Sequence, residues 1–195
     1  MNLLYCFVLT ALVAQTSTRP GTTPTLDNGS FESPKEKTRD GAMALPAEWK
    51  LFTSSDDAVD AGVTTSHASD GVQACVFKST SPAGAFCGLV QEIDVKPGQR
   101  VTLEADVRND PSNPLSGTVT GQLSFEWLAG DKELDRSYSG DWGQNLPAIE
   151  WTTMTLAAAA PKGATRVRVV ITLRNGDSPT GGAFLVDNLR VTAGQ

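Results

Sequence analysis

Apolar and polar residues alternate with a period of two along most of this chain, and helical periodicity is almost absent. The cleanest run is Val101–Arg108, whose odd positions turn toward a core and whose even positions turn toward solvent. Val119–Leu128 sets Leu123, Phe125 and Trp127 on one face against Gln122, Ser124 and Glu126 on the other. Thr165–Arg174 sets Val167, Val169, Ile171 and Leu173 against Arg166, Arg168, Thr172 and Arg174, and Phe184–Val191 closes the chain. Gly71–Lys78 and Ala85–Val95 read as two further strands. The tract Ala157–Ala160 runs straight into Pro161-Lys162-Gly163 and reads as a turn. About eight short strands separated by Gly, Pro, Asn and Asp predict an all-β, two-sheet antiparallel sandwich of the jelly-roll kind.

The two ends of this domain suggest how it closes. Leu26–Glu32 and Gly182–Leu189 each place apolar residues beside oxygen-bearing side chains. Side by side as first and last strands, they would gather Asn28, Ser30, Glu32 and Asp187 around one hard cation, and their pairing would protect the sheet edges.

The first residues depart from this pattern. The apolar run Leu3–Ala14 is too short to span a bilayer well and reads as a secretory signal peptide over residues 1–14, although no Lys or Arg precedes it. An uncleaved anchor is the alternative. Residues 15–25 form a Thr/Pro linker with nothing to bury. Residues 26–195 then make one domain, expected to be a secreted monomer with no membrane span. The net charge of −6, with no cluster of Lys and Arg, argues against nucleic acid as a partner.

Cys75 and Cys87 are the cysteines left beyond the leader. An even count in an exported chain suggests a disulfide. A hairpin centred near residue 81 would set the two opposite each other, and closing so short a loop is worth about 3 kcal/mol. Two buried thiols are the alternative. A metal site is disfavoured, because His67 is the single histidine and no third thiol remains.

The order of motifs resembles a known family. Asn28-Gly-Ser-Phe-Glu32 is followed by Pro46-Ala-Glu-Trp49, Asp70-Gly71, and Gln91-Glu-Ile-Asp-Val-Lys-Pro-Gly98. Val101–Arg108, Trp151, Ala160-Pro-Lys-Gly-Ala164 and Phe184-Leu-Val-Asp-Asn188 complete the series. Together they look like the CenC-type carbohydrate-binding modules, with their galactose-binding-like jelly roll. The resemblance covers residues 26–192. It implies a structural Ca²⁺ held by the side chains of Glu32 and Asp187, with backbone oxygens near Asn28, Ser30 and Gly71 completing the shell. A simple turn at Asn28-Gly29 with Asp187 capping a strand end is the other reading. The resemblance also implies that Trp49 and Trp151 are structural, and the parity of Trp127 places it in the core.

Carbohydrate recognition needs an aromatic plane for the apolar face of a sugar ring and polar side chains for its hydroxyls. Trp142 lies in the polar, Gly-rich stretch Ser137–Asn145, which favours an exposed indole with Tyr138 as companion, unless that indole folds over the sandwich edge. If Val101–Arg108, Val119–Leu128 and Thr165–Arg174 share a sheet, Arg108, Gln122 and Glu126 line one polar face with it. The expected function is thus non-catalytic carbohydrate binding. A structural or adhesive module without a sugar site is the alternative. A small glycoside-active enzyme is the third reading, and it needs two carboxylates set close together in a cleft.

Overall fold

The structure, a computed structural model, describes residues 24–33, 43–54, 59–79 and 83–194. The expected signal peptide and nearly all of the linker lie outside the described residues. Among the described residues there are nine strands: β1 (Lys50–Thr53), β2 (Val59–Thr64), β3 (Ala74–Ser79), β4 (Phe86–Asp94), β5 (Arg100–Asn109), β6 (Ser116–Ala129), β7 (Lys132–Tyr138), β8 (Thr152–Ala159) and β9 (Arg166–Gly194). Among the described residues no helix is long and apolar enough to cross a membrane.

All pairings between strands are antiparallel, and they build the expected sandwich. The first sheet runs β1-β4-β9-β6-β7 and the second runs β2-β3-β9-β5-β8. The 29-residue β9 belongs to both. Its first part, Arg166–Asn175, lies between β4 and β6, and its last part, Gly182–Gly194, lies between β3 and β5. The chain bends from one layer into the other near Gly181-Gly182, both at positive φ, where the register against β6 also shifts. A Cβ at Gly182 would stand 2.3 Å from the Pro114 carbonyl oxygen, so this corner admits only glycine.

Inward residues of both sheets fill one core. Leu89 and Ile93 of β4, Leu123, Phe125 and Trp127 of β6, and Val167, Val169, Ile171 and Leu173 of β9 meet Phe77, Leu103, Val107, Phe184 and Val186 of the second layer. The Phe77 and Phe184 rings stack at 5.0 Å. Trp127 is fully buried, as its parity predicts, and its indole N–H donates to Ser137 Oγ at 3.0 Å. Trp49 is also fully buried. It packs on Phe31 at 5.7 Å and donates to the Asn28 carbonyl at 3.2 Å. Trp151 is half-buried and packs outside the second sheet on a small cluster of Ala74, Val76, Ala183 and Leu185.

Several expectations are corrected here. Cys75 and Cys87 are not joined, and their strands do not form a hairpin. β3 pairs with β2 and β9 in the second sheet, whereas β4 pairs with β1 and β9 in the first. The two sulfurs therefore enter the core from opposite layers. Burial pushes the Cys75 thiol up, and the nearby Cys87 adds to the rise. Ala157–Ala159 is strand and not turn, because β8 pairs with β5 as far as Ala159. Leu26–Glu32 is not a strand: residues 27–30 make a tight turn. One bond from Leu189 N–H to the Gly29 carbonyl, at 2.9 Å, still ties that turn to β9.

Candidate functional site

The outer face of the first sheet is a grid that register alone defines. One transverse row is Glu92, Arg168, Glu126 and Arg136, on four successive strands. The next row is Lys50, Val90, Val170, Ser124 and Tyr138. Beyond it come Phe52, Gly88, Thr172 and Gln122, and then Phe86 beside Arg174. Val170 and Ser124 are nearly closed to solvent and form a low floor. Charged side chains rise on one side of that floor and aromatic rings on the other.

The charged row is a continuous ladder. Arg168 Nε meets Glu92 Oε1 at 2.9 Å and its Nη1 meets Glu126 Oε2 at 3.4 Å. Arg136 Nη2 meets Glu126 Oε1 at 3.2 Å, and Arg166 Nη1 meets Glu92 Oε2 at 2.5 Å. The hydrogen bond from Arg168 and the charges of Arg166, Arg168 and Lys50 hold the Glu92 carboxyl below its ordinary range, against a weaker push from burial. Opposite-sign neighbours directly across a sheet support one another, and these fix the side chains over the floor.

The aromatic row lies flatter. A Cβ at Gly88 would stand 2.4 Å from Phe52 Cζ, so the Phe52 ring lies across β4 in space that only glycine leaves. Phe86 is 40% exposed, and its ring sits 6.3 Å from that of Phe52. Between the rows opens a cleft of about 760 Å³, whose lining includes Lys50, Phe52, Phe86, Val90, Glu126 and Arg168. Its size is that of a small-ligand site.

The structure divides the expected binding residues. Gln122 and Glu126 stand on this face, and Tyr138, 53% exposed, ends the floor row. Trp142 does not: it is 4% exposed. It exchanges backbone hydrogen bonds with Gly121 at 2.9 and 3.0 Å, and its ring meets Phe184 edge-on at 5.3 Å. The polar stretch around it dresses a residue that closes the end of the core. Arg108 is also elsewhere, because β5 belongs to the second sheet. It is buried, its guanidinium lies 5.5 Å over the Trp151 ring, and its Nη2 donates to the Ala148 carbonyl, so it fastens a loop. Phe52, Phe86, Glu92 and Arg136 were missed. Phe86 and Glu92 had a signal, since they alternate with the core residues Cys87, Leu89 and Ile93.

Of the expected metal ligands, Glu32, Asp187 and Gly71 meet at one loop. Glu32 and Asp187 both address the loop at 69–73, where a Cβ on Gly71 would touch the Glu32 carboxylate at 2.4 Å. Ser30 is half-buried in the turn that carries Asn28. Asn28, at φ 51°, uses its side chain to brace that turn. Its Oδ1 accepts from Ser33 N–H at 3.0 Å, and its Nδ2 donates to the carbonyls of Ser33 and Ala47 at 2.8 and 3.0 Å. As arranged, the donor set does not fit a bound Ca²⁺. Among the described residues, the hydrogen-bond partners of both carboxylates are N–H and O–H groups, whereas Ca²⁺ requires six to eight oxygens turned toward it.

The chain matches no known protein-family profile and no curated protein. Solved structures of similar shape are numerous. The enzymatically active domain of tailspike protein 4 from bacteriophage CBA120 superposes with a TM-score of 0.62 at 17% identity, over 86% of this chain and 21% of that one. This chain thus spans about a fifth of the tailspike chain's length. A Stig cyclase, Fisc, from Fischerella sp. TAU gives 0.56 at 20% identity, over 89% and 98% of the two chains. The module TmCBM61 in complex with β-1,4-galactotriose gives 0.52 at 16% identity, over 87% and 97%. At these identities the likeness is one of fold, and the fold is a β-sandwich that both binding modules and enzymes use.

Proposed function

We propose that this protein binds a carbohydrate chain, without chemistry, in the cleft on the outer face of its first sheet. The observation that carries this reading is the juxtaposition of Phe52 and Phe86 with the Glu92–Arg168–Glu126–Arg136 row across the floor of Val90 and Val170. The Phe86 ring offers an apolar plane for one face of a sugar, and the guanidinium and carboxylate groups offer donors and acceptors to its hydroxyls. That a module of the same fold is bound to β-1,4-galactotriose adds support.

The enzymatic reading draws on Glu92 and Glu126, which share Arg168 in one cleft. A glycosidase of the two-carboxylate kind needs one of the pair protonated as general acid. The Arg168 hydrogen bond and the neighbouring Arg166 hold the Glu92 carboxyl below its ordinary range, which suits an acceptor for sugar hydroxyls. The apolar N-terminal run and the acidic net charge support an exported protein.

The test is affinity electrophoresis of the folded protein through gels containing galactan, xylan, β-glucan or mannan. Retardation by at least one polymer, abolished by Phe86→Ala, is the expected result. Unretarded migration through every polymer, by protein with an intact sheet spectrum, would favour a structural module.

A further inference from the structure

The clasp between the ends of the domain is built differently from the calcium site that the sequence resemblance implies. Asp187 sits fully buried in β9. Its Oδ2 accepts from the backbone N–H of Ser69 at 2.7 Å and of Asp70 at 3.0 Å, and from the Ser69 hydroxyl at 3.3 Å. Its Oδ1 accepts from Asn188 N–H at 2.6 Å. Glu32, arriving from the N-terminal turn, grips the other half of the same loop. Its Oε1 accepts from the N–H of Val72 at 2.9 Å and of Gln73 at 2.8 Å. The Gln73 side-chain amide donates back to the Glu32 carbonyl at 3.1 Å. Between the two grips lies Gly71 at φ 64°, where no side chain separates the loop from the Glu32 carboxylate.

Four successive grips on backbone N–H groups, at Ser69, Asp70, Val72 and Gln73, compensate two carboxylates by amide dipoles. Hydrogen bonds from N–H to a carboxylate are charge-assisted and stronger than neutral ones. They also turn positive hydrogens toward the oxygens that a cation would need. Asn28, the next expected ligand, has committed its amide to Ser33 and Ala47, and its carbonyl accepts from Trp49 and Phe31.

We propose that Glu32 and Asp187 close the clasp by holding the 69–73 loop through its backbone N–H groups, with no metal ion. The N-terminal turn and β9 are then tied together through a loop that lies outside the sheet pairing. The second-sheet strand β3, which starts just after this loop, is positioned by the same grip.

The experiment measures thermal unfolding of the full chain in EDTA and in millimolar CaCl₂, together with amide exchange. The expected result is a melting temperature equal in both media to within about 1 °C. Glu32→Ala lowers it by roughly 5–10 °C in both, the loss expected for two charge-assisted hydrogen bonds in a domain of this size. The Val72 and Gln73 amides exchange slowly in EDTA and rapidly in that variant. A melting temperature that CaCl₂ raises by several degrees, with the rise lost in Asp187→Asn, would overturn the proposal. If Glu32→Ala does not fold, the calcium titration and the amide exchange of the unmodified chain decide alone.

Discussion

Replacing Phe86 by Ala tests the binding platform and its place in the fold in one variant. Phe86 is 40% exposed, which for a side chain of about 200 Å² leaves roughly 80 Å² open to solvent. A sugar ring seated on it covers that area. At about 25 cal/mol per Å² the loss is about 2 kcal/mol, or about a thirtyfold rise in Kd. Folding should lose at least as much, because the covered remainder of the side chain, roughly 120 Å², is worth about 3 kcal/mol at the same coefficient, and its loss lowers Tm by about 6–12 °C. Isothermal titration calorimetry with the polymer that retards the native protein reads the first quantity, and differential scanning calorimetry reads the second. An unchanged Kd in a variant that melts as expected would refute the platform, and with it the location of the cleft.

Trp142→Ala should behave differently: loss of a fully packed indole costs about 3–5 kcal/mol of stability, and the fraction that remains folded should keep its affinity. The sign for acid is set by Glu92. Its folded carboxyl titrates below the ordinary 4.5, so its contribution is complete above the unfolded value and is lost as pH falls through the folded one. Urea unfolding between about pH 6 and pH 3 should therefore show an acid loss that Glu92→Gln flattens. Alkylation of the native protein without reductant should leave Cys75 and Cys87 untouched, and unfolding should expose both as thiols. A cross-linked peptide carrying both would instead mean that the two sulfurs bridge the sheets across the core.

The alternation along the chain carried the fold because side-chain parity is a local property of a strand. The core faces of Val101–Val107, Leu123–Trp127 and Val167–Leu173 are as parity predicts. Parity says which face a residue takes but not which sheet its strand joins. That is why Arg108, correctly outward, lies on the second sheet while Gln122 and Glu126 lie on the first. The same gap produced the expected hairpin between Cys75 and Cys87: β3 and β4 lie in different layers, and no local pattern records it. β7 escaped detection because it is an edge strand with solvent on both sides and no apolar stripe. Trp142 was misread for a related reason. Its neighbours in sequence are polar, but its neighbours in space, Gly121 and Phe184, come from β6 and β9. The clasp was legible as a meeting of Glu32 and Asp187, while the N–H groups that meet them belong to a loop whose backbone direction no side chain announces.

The most direct test of the account is amide chemical-shift mapping as the protein is titrated with short β-linked oligosaccharides, β-1,4-galactotriose among them. The cleft predicts saturable shifts concentrated on Lys50–Phe52, Phe86–Glu92, Gln122–Glu126 and Arg168–Thr172, with the second sheet undisturbed. Shifts confined to β5, β8 and the loop around Trp142 would contradict it.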